Sequence, residues 1–437
     1  MRETLGAINH VFARHGEIAI AVTRNPYTRK PVVTVTDTYV RIPVVPAKKV
    51  TQQAIMRLLP ELEEAVGRLY SKRLKLRFGK NPFCLEVPLP TPRYTPLSLD
   101  DTLPPFHAQI GRAFVYGKAQ TVTFNLADSN TAHVFVAGMV GCGKSNVLES
   151  YLLSLTYATS PAELRIYSID MKGRSLALLH DLPHVVAAAS TEQAAEQVCR
   201  AVMREMERRK QQASPVQDRV LLIIDELREL KFADASLLQH DLPRIIALGR
   251  ELGIHVVAAT QKPSAADLGP LVNALFPVRV IGVVEDAKAS YNLLKQTGAR
   301  AEALIGKGDM LVSRIADDAL RMQAFLVQDK QALVQQIQDK WQHVPRPSAF
   351  TTQDEDTEEM SDASVSDAIP DAVRRVFWEH YDDAKGKLRH GGMKRVAQAL
   401  YGEHVSVQGH IHRELTRLCA VLANEPKPTM PLSSSPA

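Results

Sequence analysis

One eight-residue loop holds the residue types that bind the phosphates of a nucleotide. It reads Gly138-Met139-Val140-Gly141-Cys142-Gly143-Lys144-Ser145 and fits the pattern G-x-x-x-x-G-K-[ST] without a mismatch. Glycines let backbone N–H groups converge on phosphate oxygens, a lysine reaches the β- and γ-phosphates, and a hydroxyl ligates Mg²⁺. The loop therefore predicts a site for a nucleoside triphosphate and Mg²⁺ that extends to Asn146. In it, Lys144 is a catalytic residue and Ser145 a metal ligand.

Two carboxylates follow an apolar run further along the chain. Residues 220–224 read Val-Leu-Leu-Ile-Ile, and Asp225 and Glu226 come next. Ligands of open α/β sheets gather at the carboxyl ends of the strands, so both acids are predicted to face the glycine loop. Asp225 is predicted to hold Mg²⁺, directly or through water. Glu226 is predicted to orient and deprotonate the attacking water.

Two further polar residues flank the next apolar run, 255–259. Gln261 follows it, where an amide between the carboxylates and the γ-phosphate can sense whether phosphate is present; the alternative is a loop-capping amide. Arg250 precedes it. Arg250 is either a surface arginine or the arginine that one subunit of a ring places against its neighbour's γ-phosphate, and Arg244 competes for that role.

The elements that must position these residues alternate between strand and helix across 106–345. Apolar, β-branched runs between amphipathic helices predict an α/β fold with a parallel sheet and helices on both faces. The predicted strands are 133–137, 164–169, 220–224, 255–259 and 278–283, and the predicted helices are 146–155, 191–211, 242–252, 287–294 and 330–341.

A small α+β domain is predicted for residues 1–99. Its strands are 18–22, 31–35, 39–42, 74–77 and 84–87, and an amphipathic helix covers 52–70. Basic residues are dense between 48 and 80, which fits a solvated face and a nucleic-acid-facing surface equally well. Prolines between 88 and 105 make a stiff connector to the next domain.

The C-terminal part divides into an acidic linker, 351–368, a small helical domain, 369–423, and a polar tail, 424–437. The linker is predicted to be disordered because it has hardly any apolar residue to bury. Helices at 373–381, 393–401 and 406–422 suggest a helix-turn-helix or winged-helix fold that binds DNA. The candidate DNA contacts are Lys394, Arg395, Gln408, His410, Arg413 and Arg417.

The composition is that of a multidomain globular protein. The 437 residues are too many for one core, and 45% are hydrophobic, 23% are charged and the net charge is +5. No run reaches the ~18 apolar residues of a membrane helix, and the N-terminus has no secretory leader, so no membrane insertion by this chain is expected. Four scattered cysteines argue against disulfides or a zinc site and for a reducing cytoplasm.

The motifs of residues 106–330 resemble the FtsK/SpoIIIE family of DNA translocases. The resemblance rests on segments in the family's order and spacing: 133–138, 143–145, 168–172, 182–185, 205–209, 224–226, 253–264, 276–280 and 306–311. It implies a RecA-like P-loop NTPase that uses ATP and Mg²⁺, assembles as a hexameric ring and pumps double-stranded DNA. It also favours Arg250 as the arginine acting on a neighbouring subunit, and it likens the N-terminal domain to the family's α subdomain.

Some features depart from that family. Lys262 stands where the family commonly has Arg, Met171 stands where it has Pro, and the membrane-spanning region of the cell-division members is missing. A plasmid, phage or mobile-element motor therefore fits better than one anchored at a septum. The alternative is a protein-export ATPase of the type VII secretion kind, although those carry membrane helices and tandem ATPase domains. A non-motor module with a degenerate site is disfavoured because Lys144, Asp225 and Glu226 are intact.

Overall fold

The computed structural model describes residues 1–24, 32–71, 74–80, 83–89, 92–115, 118–128, 130–173, 175–211, 218–229, 241–261, 275–314, 318–348, 371–382, 387–388, 392–401 and 419. Two compact units, 1–349 and 350–437, make up the chain. The first unit contains two separate sheets.

A five-stranded antiparallel sheet forms the N-terminal part of the first unit. Its strands pair in the order β1-β3-β5-β4, and β2 pairs with β3. They are β1 (Ala19–Ala21), β2 (Thr34–Val35), β3 (Tyr39–Pro46), β4 (Arg77–Lys80) and β5 (Phe83–Pro88). Helices α1 (Arg2–Arg14), α2 (Gln52–Met56) and α3 (Leu59–Leu69) accompany the sheet. Phe12, Ile42 and Leu62 are fully buried in the shared core.

Three details of this part differ from the sequence prediction. The strand predicted at 74–77 lies at Arg77–Lys80 instead. The single helix predicted over 52–70 is two helices, because Arg57 and Leu58 interrupt it and Pro60 lies in the first turn of α3, where its missing N–H costs nothing. Helix α1 is an addition to the predicted elements. It buries Ile8 and Phe12, one helical turn apart, in the same core.

A ten-stranded sheet forms the rest of the first unit. The strand order is β10-β9-β11-β12-β8-β13-β14-β15-β6-β7. The strands are β6 (His107–Val115), β7 (Lys118–Asn125), β8 (His133–Ala137), β9 (Leu164–Ile169), β10 (Val185–Ala189), β11 (Arg219–Ile224), β12 (Ile254–Thr260), β13 (Val278–Ile281), β14 (Asp309–Arg314) and β15 (Leu320–Ala324). The six strands from β10 to β13 are parallel, which confirms the predicted α/β fold with a parallel sheet.

Five helices of this part have bounds close to those predicted. They are α4 (Lys144–Ala158), α5 (Glu192–Gln211), α6 (Leu242–Gly249), α7 (Ala287–Leu294) and α8 (Lys330–Trp341). Short 3₁₀ turns cover Ala177–Asp181, Arg250–Leu252 and Ala301–Ala303. The helix predicted over 242–252 therefore ends early, at Gly249, and its last turn is 3₁₀.

The β6–β7 hairpin and strands β10, β14 and β15 are further additions to the predicted elements. The first four residues of β7 are exposed. The strand therefore shows little of the alternation between apolar buried and polar exposed residues that identifies a strand in a sequence. Gly111 of β6 lies directly against β15, and a Cβ there would stand 2.3 Å from the Gln323 carbonyl oxygen. Strands β14, β15, β6 and β7 together extend the parallel part of the sheet beyond β13 as an antiparallel edge.

The second unit is described over two helices and a short hairpin. The helices are α9 (Asp371–His380) and α10 (Gly392–Tyr401), and β16 (Tyr381–Asp382) pairs with β17 (Lys387–Leu388) between them. The predicted third helix, 406–422, and the acidic linker, 351–368, lie outside the described residues, so the helix-turn-helix fold stays a prediction. None of the helices described in either unit is both long and apolar enough to cross a bilayer.

Candidate active site

The glycine loop lies at the centre of the large sheet, between β8 and α4. Strand β8 pairs with β12 on one side and β13 on the other, so the loop leaves the sheet at its middle. Gly141 and Gly143 have φ values of +79° and +103°, in the left-handed region that favours glycine. Gly143 also caps the N-terminus of α4, which directs the first N–H groups of that helix into the loop. This is the conformation predicted for a phosphate-binding loop.

A second loop supports the first from behind. The backbone N–H groups of Lys307 and Gly308 donate to the carbonyl oxygens of Gly141 (3.1 Å) and Cys142 (2.6 Å). A Cβ on Gly143 would stand 2.3 Å from the backbone nitrogen of Gly308, so position 143 depends on glycine. The Gln323 side chain holds this second loop by donating to the Lys307 carbonyl oxygen at 2.9 Å. The phosphate loop is thus fixed by residues far from it in the sequence.

Lys144 and Asp225 are joined in a buried ion pair. Lys144 Nζ lies 2.5 Å from Asp225 Oδ1 and 2.8 Å from the Asp225 carbonyl oxygen, and both side chains are at most 4% exposed. The other carboxylate oxygen, Asp225 Oδ2, is buried with no hydrogen-bond partner among the described residues. A buried, unsatisfied carboxylate oxygen beside Lys144, the residue that precedes Ser145, fits a site for a hard cation.

Glu226 is tied to the end of the neighbouring strand. Its Oε1 accepts a hydrogen bond from the Thr260 hydroxyl at 2.5 Å, and its Oε2 accepts one from the Gln261 backbone N–H at 2.9 Å. Strands β11 and β12 are parallel neighbours, and β12 is also the neighbour of β8. The structure therefore brings Glu226, Gln261 and the glycine loop to one edge of the sheet, as the sequence predicted.

A cavity of about 550 Å³ opens over the glycine loop. It is lined by residues 139–146 and Gln261, and in addition by Tyr94, Lys307 and Leu326, which sequence reasoning missed. Gly138, also predicted to bind the nucleotide, stands at the end of β8 behind this lining, where its N–H donates to the Thr260 carbonyl oxygen at 3.4 Å. In the sequence, Lys307 stands out through its place in the Gly-Lys-Gly-Asp-Met-Leu segment, 306–311, one of the segments that carry the family resemblance.

Cys142 and Asn146 line this cavity, and their side chains also make contacts that hold the loop and α4 in place. The Cys142 side chain is 1% exposed, and burial raises the pKa of its thiol. A Cβ on Gly138 or on Gly282 would stand within 2.9 Å of Cys142, so its side chain fills a space between two glycines. Asn146 Oδ1 accepts the Val327 backbone N–H at 2.9 Å, which ties the first turn of α4 to the chain after β15.

Arg250 lies at the opposite edge of the sheet from the glycine loop. It precedes β12, whose far end, Thr260, is level with Ala137 at the start of the loop. The seven residues of β12 extend about 23 Å, so Arg250 does not reach the nucleotide cavity of its own chain. Its side chain is 51% exposed and lies 3.8 Å from Glu251. The competitor Arg244 pairs with Glu207 at 2.8 Å.

A buried charge cluster joins the N-terminal sheet to the large sheet. Arg321 of β15 donates to both oxygens of Asp309 at 2.8 and 2.7 Å and to Glu86 of β5 at 3.0 Å. Arg77 donates to the same Glu86 oxygen at 2.9 Å. Burial alone would raise the pKa of the Glu86 carboxyl, but the surrounding arginines outweigh it and hold that pKa below its usual range. Asp309 also accepts the Ile305 backbone N–H at 3.0 Å, so the cluster anchors the loop that supports the glycine loop.

The predicted DNA contacts are only partly within the described residues. Lys394 and Arg395 are exposed on α10. Gln408, His410, Arg413 and Arg417 lie outside the described residues, so their roles stay predictions.

Comparison with known proteins identifies relatives of this sheet and loop. Residues 104–215, which include the glycine loop, match the FtsK/SpoIIIE family. The protein named DNA translocase FtsK of Borreliella burgdorferi is 30% identical over 252 residues, which are 51% of this chain and 32% of that protein. The chain thus spans about a third of the length of this curated relative.

Two solved structures share the fold. The monomer of the pCW3 conjugation coupling protein TcpA with ATPγS covers 77% of this chain and 99% of its own, with a TM-score of 0.50 and 19% identity. The cytoplasmic domain of the Thermomonospora curvata type VII secretion ATPase EccC covers 58% of this chain and 34% of its own, with a TM-score of 0.50 and 20% identity. Similarity at this level of identity shows a common architecture.

Proposed function

We propose that this P-loop ATPase is a motor of the FtsK/SpoIIIE family, which residues 104–215 match, and that it uses ATP to move double-stranded DNA. The observation that carries the proposal is the grouping of Lys144, Asp225, Glu226 and Gln261 around one glycine loop. That grouping occurs in a chain of which about half is 30% identical to about a third of the length of proteins named DNA translocases.

Mg²⁺ and the triphosphate fit the residues present. Ser145 and Asp225 would hold the ion, since Asp225 Oδ2 is buried without a partner. Bound Mg²⁺ would neutralise the charge that develops on the phosphates. Lys144 would exchange its bond to Asp225 for one to the β- and γ-phosphates.

Glu226 is the proposed general base and Gln261 the proposed sensor. Each Glu226 oxygen accepts one hydrogen bond from Thr260 or Gln261, so lone pairs remain to orient and deprotonate a water. Because Glu226 binds the backbone of Gln261, a shift of either residue on loss of the γ-phosphate would move the other. The site can thereby report hydrolysis to the end of β12.

A ring is proposed because Arg250 lies too far from its own cavity to act there. An arginine at the opposite edge of the sheet can reach the γ-phosphate bound by a neighbouring subunit, which is the use of an arginine finger supplied in trans. A hexamer follows from the family resemblance. Lys394 and Arg395, exposed on α10, are proposed to contact DNA phosphates, together with Gln408, His410, Arg413 and Arg417 of the same unit.

The compartment proposed is the cytoplasm. The four cysteines are free thiols, as a reducing compartment requires. The alternative is a protein-export ATPase. This chain shares the fold of the type VII secretion ATPase EccC, but a common fold does not assign a substrate. Protein export remains an outcome of the test below.

ATP hydrolysis measured with and without linear duplex DNA tests the proposal. We expect duplex DNA to stimulate the rate and the same mass of single-stranded DNA to stimulate it less. Lys144→Ala, which removes the phosphate-binding cation, is the control that reports background hydrolysis. A rate that is indifferent to duplex DNA would favour the protein-export alternative and reject the DNA motor.

A further inference from the structure

The connector between the two sheets reaches the cavity over the glycine loop. Tyr94, in the segment that leads from β5 towards β6, lines the cavity together with Leu326, which follows β15. Tyr94 is the one aromatic residue among the described residues that line it, and it is half-buried. The remaining lining belongs to the glycine loop, the start of α4, Gln261 and Lys307. Tyr94 and Leu326 therefore supply a non-polar wall that phosphate groups do not need.

The backbone around Tyr94 is held from both sides. Arg93 N–H donates to the Asp37 carbonyl oxygen of the N-terminal sheet at 2.7 Å. Leu326 N–H donates to the Thr95 carbonyl oxygen at 2.9 Å, and Leu97 N–H donates to the Leu326 carbonyl oxygen at 3.0 Å. These bonds fix Tyr94 and Leu326 beside one another. The backbone that carries the aromatic ring is thus held in place rather than part of a free loop.

The size and chemistry of the cavity leave room for more than a triphosphate. Its volume of about 550 Å³ lies within the range of pockets that enclose whole small ligands. The phosphates are accounted for by the N–H groups of the loop and by Lys144. A purine base has flat π-faces that stack on an aromatic ring, and a tyrosine beside a leucine matches such a face.

We infer that Tyr94 and Leu326 form the base subsite of the nucleotide site, with Tyr94 contacting the face of the adenine. This inference rests on the ATP site proposed above and assigns a residue outside the large sheet to it. Since Arg93 is bonded to Asp37, the N-terminal sheet holds the connector that closes one wall of this subsite. Stacking binds the base without reading its hydrogen-bonding edge, so GTP is expected to bind nearly as well as ATP.

Binding of ATPγS and of inorganic tripolyphosphate to the full chain, with Mg²⁺ present, tests the inference. Tyr94→Ala is expected to raise the Kd for ATPγS by about 5- to 150-fold, the cost of a lost base–aromatic stack. It is expected to leave tripolyphosphate binding within about 2-fold, because that ligand has no base. Tyr94→Phe keeps the ring and should bind both ligands like the wild type.

A matched control is Tyr291→Ala, which removes a half-exposed tyrosine of α7 that does not line the cavity. It should leave both affinities unchanged. Unchanged ATPγS binding in Tyr94→Ala would overturn the inference, and so would an equal loss of both ligands, which would indicate a collapsed loop. If the wild type bound neither ligand, the ATP site itself would be wrong, a result distinct from failure of the base subsite.

Discussion

Arg321→Met tests whether the N-terminal sheet supports the phosphate loop. Arg321 is 3% exposed and bonds Glu86 in one sheet and Asp309 in the other, with its guanidinium 3.9 Å from the centre of the Tyr39 ring. Methionine has a similar length but no charge and no donors. The substitution therefore removes the cation and leaves both carboxylates in place.

The loss of unfolding free energy depends on which hydrogen-bond partners Glu86 and Asp309 keep after the substitution. Glu86 retains Arg77 at 2.9 Å, whereas Asp309 retains only the Ile305 N–H among the bonds described for it, at 3.0 Å. Removing one partner of a buried ion pair costs about 3–5 kcal/mol of unfolding free energy, because a charge is left without compensation. Most of this cost should fall on Asp309, the residue that anchors the loop behind Gly141 and Cys142.

Urea unfolding and ATPγS binding measured on the same variant provide the assay. We expect a loss of about 3–5 kcal/mol in unfolding free energy together with weaker nucleotide binding. Lys75→Met is the matched control, since the exposed Lys75, just before β4, also bonds the part that holds the large sheet by donating to the Glu302 carbonyl oxygen at 2.7 Å. It should cost at most about 1 kcal/mol and leave binding intact. Equal stability of Arg321→Met and Lys75→Met would refute the reasoning.

Three further outcomes are expected. Glu226→Gln should bind ATP normally but hydrolyse it at least about 100-fold more slowly, since the general base is lost; single-turnover hydrolysis measures this, and an unchanged rate removes Glu226 from its role. Mixing Arg250→Ala with Lys144→Ala subunits should recover part of the ATPase activity that each lacks alone, whereas an inactive mixture would speak against action in trans. Burial lowers the pKa of His133 to about 4 and that of His255 to about 3, against about 6.5 unfolded. The unfolded chain therefore binds more protons below pH 6.5. Unfolding free energy should fall by about 2 kcal/mol per histidine between pH 7 and 5, as urea titration can show, and a flat profile would contradict it.

The local parts of the site were predictable because each depends on a short stretch of sequence. The glycine loop needs eight consecutive residues, and Asp225, Glu226 and Gln261 each follow an apolar strand. Parallel strands place their carboxyl ends at one edge, so these groups meet without any knowledge of strand order. That is why the sequence predicted which residues meet at this edge of the sheet.

The distant residues that hold the site in place, or complete its walls, were not predictable in the same way. Arg321 and Glu86 are 235 residues apart, and no periodic pattern relates them. Lys307 and Leu326 line the cavity from the two ends of the β14–β15 hairpin, and Tyr94 does so from a connector that looked like a spacer. Such contacts depend on tertiary packing. Sequence reasoning finds them only where a residue type is unusual for its segment.

The location of Arg250 shows what the structure adds to a resemblance. The motif alone left a surface arginine and a trans-acting arginine as alternatives. Strand β12 separates Arg250 from the edge that carries the glycine loop of the same chain, which removes a role within one subunit. A surface arginine and an arginine that acts on a neighbouring subunit both remain, and the mixing experiment with Arg250→Ala and Lys144→Ala distinguishes them.

Displacement of a triplex-forming oligonucleotide from linear duplex DNA tests the central proposal most directly. A motor that moves along duplex DNA strips the third strand as it passes, whereas an ATPase that only binds DNA does not. We expect the wild-type protein to release the oligonucleotide when ATP and Mg²⁺ are present, and the Glu226→Gln protein to leave it bound. An intact triplex beside active, DNA-stimulated hydrolysis by the wild type would contradict the proposal that this ATPase translocates DNA.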